Sequence, residues 1–112
     1  MKLAKISILG LGLWASFLVP LSSAQSGKKG TPAAGKDVFE AKCLDCHNVD
    51  SKDWKEGPGL QGVKGGKLPS GKDATHDAIL DVVNKGRDIM PPFKDILTDR
   101  QKEDVVAYVM TL

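Results

Sequence analysis

Two cysteines three residues apart, with a histidine directly after the second, constrain this chain more than any other feature of its sequence. The run is Cys43-Leu44-Asp45-Cys46-His47, and it holds the only two cysteines among 112 residues. On a helical turn this spacing sets both sulfurs on one side and puts His47 one turn from Cys43. Such a pair can form a disulfide, a zinc site or a thioredoxin-type redox couple. Zinc needs four ligands, and only His76 or a carboxylate is available to complete Cys43, Cys46 and His47. A thioredoxin-type pair belongs with a βαβ pattern, which is missing here. C-x-x-C-H in an exported chain is instead the attachment signature of a c-type haem. Cys43 and Cys46 form thioethers with two vinyl groups, and His47 offers its imidazole to the iron.

Export is read from the N-terminus. Lys2 and Lys5 precede Ile6 to Val19, a run of 14 residues that is apolar but for two serines. A bilayer span needs roughly 20. Pro20 and the small residues Ser22 and Ala24 follow, so residues 1–24 read as a signal peptide with Gln25 as the first mature residue. The other reading is an uncleaved anchor. No cysteine follows the apolar run, so a lipid anchor has no attachment point. Lys2 and Lys5 leave with this segment, and 14 basic residues then face 14 acidic ones in a mature chain of 88. That balance excludes nucleic-acid binding driven by bulk charge. The expected location is the periplasm.

The mature chain divides into a Gly/Lys/Ser-rich leader, 25–32, and one domain, 33–112. A helix is expected from Ala33 to Cys43, with Val38, Phe39, Lys42 and Cys43 on neighbouring turns. Residues 50–71 are polar and glycine-rich without strand alternation. A loop of that length in a small domain is usually functional or wrapped around something. A second helix is expected from Thr75 to Lys85, with Thr75 as N-cap, Gly86 beyond its end, and Ala78, Ile79, Val82 and Val83 as its apolar stripe. Met90-Pro91-Pro92-Phe93 is an extended segment. The last helix runs from Thr98 to about Thr111, with Thr98 and Gln101 as a capping box and Val105, Val106, Tyr108 and Val109 facing inward. The fold class is all-α, three or more helices with long loops.

Only four aromatic residues remain after the signal peptide, namely Phe39, Trp54, Phe93 and Tyr108. Small domains bury proportionally little surface, and a porphyrin would supply the missing apolar centre. For the second axial ligand the mature candidates are Met90, His76 and Met110. Met110 sits in the last turn of the terminal helix, and His76 reads as an exposed first-turn residue. Met90 stands before two prolines on a stiff segment with little entropy left to lose, which favours it.

In order and spacing these motifs resemble the class I c-type cytochromes, in particular small soluble bacterial ones, over about residues 33–112. The motifs are Cys43-x-x-Cys46-His47, Gly57-Pro58-Gly59-Leu60, Met90-Pro91 and a terminal helix carrying Tyr108. The resemblance implies a fold of three to five helices wrapped around one covalent haem c, with the first and last helices crossing. Gly35 would permit the close approach, Tyr108 would lie opposite it, and Phe39 would be a core aromatic. It also implies His47 and Met90 as axial iron ligands, and Pro58 as acceptor for the histidine Nδ1–H. Leu60 would pack on the haem face, and Trp54 would reach a propionate or cap the haem edge. The Lys64, Lys67 and Lys72 loop, residues 62–73, matches no motif of the family.

An iron held between His and Met has no open position for substrate, which implies an electron carrier and not an enzyme. The expected role is a monomeric shuttle that docks transiently with a redox donor and with an oxidase or reductase. Lys85, Arg87 and Lys94 interleave with Asp88 and Asp95, so no sign is assigned to the docking patch. Alternative readings are a haem-bearing subunit of a membrane oxidoreductase complex, or a ligand-binding sensory haem domain. The N-terminal residue separates the shuttle from the anchored subunit. Mass spectrometry of the exported protein is expected to find Gln25 first, and an intact Met1 in a detergent-requiring membrane fraction would favour the anchored form.

Overall fold

The computed structural model describes residues 30–112, with Gly10 and Gly12. The signal peptide expected at 1–24, those two glycines apart, and leader residues 25–29 lie outside the described residues. Three helices follow in chain order, α1 (Pro32–Lys42), α2 (His76–Lys85) and α3 (Asp99–Val109). Extended pairing among the described residues is limited to isolated bridges, Lys67 with Asp73 and Arg87 with Met90. No described helix is long and apolar enough to cross a membrane.

Each helix starts for a local reason. Pro32 opens α1, where a missing N–H costs nothing. The side chain of Thr31 makes no cap bond. Its backbone N–H instead donates to Asp104 Oδ1 of α3 at 2.7 Å. That carboxylate, only 6% exposed as a residue, thus sits at the positive end of α1. In α2 the Thr75 hydroxyl accepts the Ala78 N–H at 3.2 Å. In α3 the capping box is complete, with Gln101 N–H to Thr98 Oγ1 at 3.1 Å and Thr98 N–H to Gln101 Oε1 at 2.9 Å. The observed helices match the expected ones to within one or two residues.

α1 and α3 meet backbone to backbone. Gly35 is buried, and a Cβ there would overlap the Asp104 carbonyl and crowd Tyr108 Cβ at 2.9 Å. Phe39 and Tyr108 pack edge to face beside the crossing, centroids 5.4 Å apart at 62°. Phe39, Val105 and Val106 form the driest part of the core, and Ile79, Phe93, Leu97, Val109 and Ala74 extend it. α2 is less embedded, since Ile79 is its one buried residue. Val82 and Val83 of its stripe are half-buried.

The loops are closed by main-chain bonds. The Gly62 N–H donates to Leu112 O at 3.0 Å, the Ala74 N–H to Gly66 O at 2.9 Å and the Leu68 N–H to Lys72 O at 2.8 Å. Lys67 pairs with Asp73 across the base of that turn. Further on, the Phe93 N–H donates to Val83 O at 2.8 Å and the Lys94 N–H to Asn84 O at 3.3 Å. The Met90 segment therefore hangs from the C-terminal end of α2. Lys102, buried on α3, ties the same segment down by donating to Lys94 O at 3.3 Å, while its ammonium stays paired with Asp99 at 3.0 Å.

The crossing sets the expected sensitivity. Gly35→Val should destabilise the domain by about 3 kcal/mol, the upper part of the usual range for overpacking. Urea unfolding of the holoprotein measures this, and a midpoint unchanged from wild type would contradict the close contact.

Candidate haem-binding site

The C-x-x-C-H run begins where α1 ends. Cys43 is the C-cap, its N–H bonded to Phe39 O. The N–H groups of Cys46 and His47 both donate to Cys43 O at 3.1 Å. One tight turn thus gathers the two cysteines and the histidine. Cys43 is half-buried and Cys46 exposed, and no disulfide joins them. Burial, and secondarily the neighbouring Cys46, push the Cys43 thiol up to about 11. It stays protonated at neutral pH, and a thioether at that position would have no charge to bury. Among the described residues no three of His, Cys, Asp and Glu are grouped as a metal ion would need. The zinc alternative therefore finds no ligand set.

His47 is held in one orientation. Its Nδ1 lies 2.8 Å from Pro58 O. A carbonyl oxygen only accepts, so Nδ1 carries the proton and Nε2 keeps its lone pair. That is the tautomer an iron ligand requires. The turn bearing Pro58 is pressed beneath the ring, since a Cβ on Gly57 would come within 2.6 Å of His47 Cε1. The Gly57 N–H donates to Cys46 O at 2.9 Å, and the Leu60 N–H to Asn48 O at 2.8 Å. The His47 ring stands 6.5 Å from Phe39, tilted by 48°, which connects the site to the core.

The other expected residues are placed as follows. Leu60 and Met90 are half-buried and packed against the core. Met90 closes a tight turn, exchanging main-chain bonds with Arg87 at 2.8 and 3.0 Å. Asp88, inside that turn, has φ 51, a left-handed conformation that Asp tolerates better than most residues. Trp54 is 65% exposed and touches none of the other candidates by hydrogen bond or ring stacking. Met110 is half-buried at the C-cap of α3. His76, expected as an exposed residue, is instead partly covered and paired with Asp77 and Glu103.

Donors and lining fit a haem. His47 offers an oriented Nε2, Met90 a half-buried thioether, and two thiols lie on the same turn as the histidine. Leu60, Leu68, Leu80, Val83 and Met90 pack against the core and are only partly covered by protein. Residues missed by sequence reasoning are Asp104, Glu103 and Lys102. They look like ordinary charges of a solvated helix, and Asp104 and Glu103 have partners far away in sequence.

Known proteins resemble this chain in sequence and fold. The family described as "Cytochrome C oxidase, cbb3-type, subunit III" matches residues 30–109. Cytochrome c6 of Rippkaea orientalis is 37% identical over 81 residues, covering 72% of this chain and 70% of that protein. Cytochrome c6 of a Nostoc strain is 30% identical over 110 residues, covering 97% and 91%. The solved structure of cytochrome c6 from the diatom Phaeodactylum tricornutum aligns with a TM-score of 0.60 at 29% identity, covering 73% of this chain and 93% of that one. The chain belongs to the class I c-type cytochromes and is a cytochrome c6-like electron carrier, not an enzyme.

Proposed function

We propose that the protein is an exported single-electron shuttle whose haem iron is ligated by His47 and Met90. One haem c, attached through Cys43 and Cys46, supplies the one-electron couple. The observation that carries the reading is the His47 Nδ1–Pro58 O bond, 2.8 Å. It fixes the tautomer and orients Nε2. A ligand that does not turn between oxidation states keeps reorganisation small. Met90 is favoured over His76 because both ring nitrogens of His76 are already within 2.9 Å of carboxylates. Leu60 excludes water from the site, and the exposed Trp54 indole is available to a propionate or to the rim of a docking partner. Docking is transient, with a soluble or membrane donor on one side and an oxidase or reductase on the other.

A second reading, a haem-bearing subunit of an oxidase complex, draws on the description of the matching family and on a relative named "Cbb3-type cytochrome c oxidase subunit FixP" from Sinorhizobium medicae. That relative is 32% identical over 91 residues, but this chain spans only 29% of it. The shuttle reading is favoured because cytochromes c6 of comparable length align over most of both chains.

Attachment and ligation are tested separately. Haem is expected to stay on the chain through acid and organic extraction, and to be extractable from the Cys43→Ala, Cys46→Ala double variant. An apoprotein mass from the wild type after extraction would refute the thioethers. Met90→Ala should open the sixth position to water or a small added ligand. Met90→His should stay low-spin with a lower potential, because imidazole donates to ferric iron more strongly than a thioether does. His76→Ala should keep the native low-spin spectrum. If Met90→Ala keeps that spectrum and His76→Ala loses it, the axial assignment is reversed.

A further inference from the structure

His76 bonds to a carboxylate on each side of its ring. Nδ1 lies 2.9 Å from Asp77 Oδ1, and Nε2 lies 2.7 Å from Glu103 Oε2. Ionised carboxylates only accept, so the ring can donate at both nitrogens only as imidazolium. The Asp77 side chain is 98% exposed and the Glu103 side chain 23%. The contact that matters is therefore the one to Glu103, which joins the first turn of α2 to α3. Glu103 precedes Asp104, whose carboxylate receives the Thr31 N–H of α1. The anchor is thus set in the packed α1–α3 crossing.

The far end of α2 carries the Met90 segment. Val83 O and Asn84 O receive the Phe93 and Lys94 N–H groups, and a Cβ on Gly86 would come within 2.8 Å of Pro92 N. Between its two ends α2 buries only Ile79. A 10-residue helix, about 15 Å long, is held at one end by the His76–Glu103 pair and holds the Met90 segment at the other.

We propose that His76 is a positioning residue for the Met90 segment, its imidazolium clasping α2 to Glu103 so that loss of the proton loosens α2 and the hold on Met90. The redox consequence rests on Met90 being the iron ligand. The groups facing the ring are Asp77 from α2 and Glu103 from α3. Lys64 and Asp73 line the adjoining cavity from the 62–73 loop, with Asp73 committed to Lys67. The hydrogen bonds to Asp77 and Glu103 raise the His76 pKa above its ordinary 6.5, against a smaller opposing effect of burial. A raised pKa stabilises the fold fully below the unfolded value and ceases to do so as pH rises through the folded one. The clasp is therefore an ion pair in mildly acidic solution and weakens on the alkaline side of 6.5, where the neutral ring has one N–H left and no charge.

The test uses the holoprotein at pH 6 and pH 8.5. Amide hydrogen-exchange protection factors are read at Phe93 and Lys94, with Met110 N–H, bonded to Val106 O on α3, as reference. Protection at Phe93 and Lys94 should fall by roughly fivefold or more across that range in the wild type, with Met110 unchanged. In Glu103→Gln it should be low at both pH values. The midpoint potential should shift over the same pH range in the wild type and lose that step in Glu103→Gln. His76→Lys, charged at both pH values, should flatten both profiles. An unchanged Phe93 and Lys94 protection in the wild type, an equal step in Glu103→Gln, or a parallel loss at Met110 would overturn the clasp. A protection step without a shift in potential upholds the clasp and tells against Met90 as ligand, which the Met90→Ala spectrum decides independently.

Discussion

The contact between α1 and α3 at Gly35 is the constraint from which the rest of the molecule is built. Two helices approach so closely that their main chains touch only where the side chain at residue 35 is absent. Several other features follow from that distance. Asp104 can reach the N-terminus of α1 because α3 lies against it. Phe39 and Tyr108 can meet edge to face beside the crossing. The cysteine-histidine turn leaves α1 in a direction fixed by the same contact, and Phe39 stands between that turn and the core.

The core built on this crossing is small. Its fully buried side chains are Phe39, Val105 and Val106, and much of the remaining apolar surface is only partly covered. Hydrophobic stabilisation scales with area removed from water, so partial coverage leaves a domain of this size short of stability unless something else fills the gap. A flat apolar group fixed to Cys43 and Cys46 would add apolar cover that the protein's own side chains do not supply. The chemistry of the site and the stability of the fold would then draw on the same surface.

What could be read in advance divides along physical lines. The starts of α2 and α3 were legible because Thr75, Thr98 and Gln101 act on backbone groups within three residues. The cysteines and His47 were legible because their chemistry demands a fixed local spacing. The environment of His76 was not, since its partner Glu103 lies 27 residues away and each alone resembles a solvated charge. Asp104 was opaque for the same reason, since the Thr31 N–H it accepts lies 73 residues away. The 62–73 loop is closed mostly by main-chain groups, which leave no side-chain signature, with Lys67 and Asp73 pairing at its base. Pro58 was placed by its resemblance to a family pattern, and the structure supplies the reason, a carbonyl within hydrogen-bond reach of Nδ1.

The turn that ends in Met90 is built from backbone alone. Its bonds join Arg87 to Met90, Phe93 to Val83 and Lys94 to Asn84, and none of them uses the side chain of residue 90. Geometry and donor atom are therefore separable in this part of the molecule. The side chain at that position can change without rebuilding the loop that carries it. On the ligation proposed for Met90, a change at that one codon would reset the carrier's voltage, with folding left to the crossing helices.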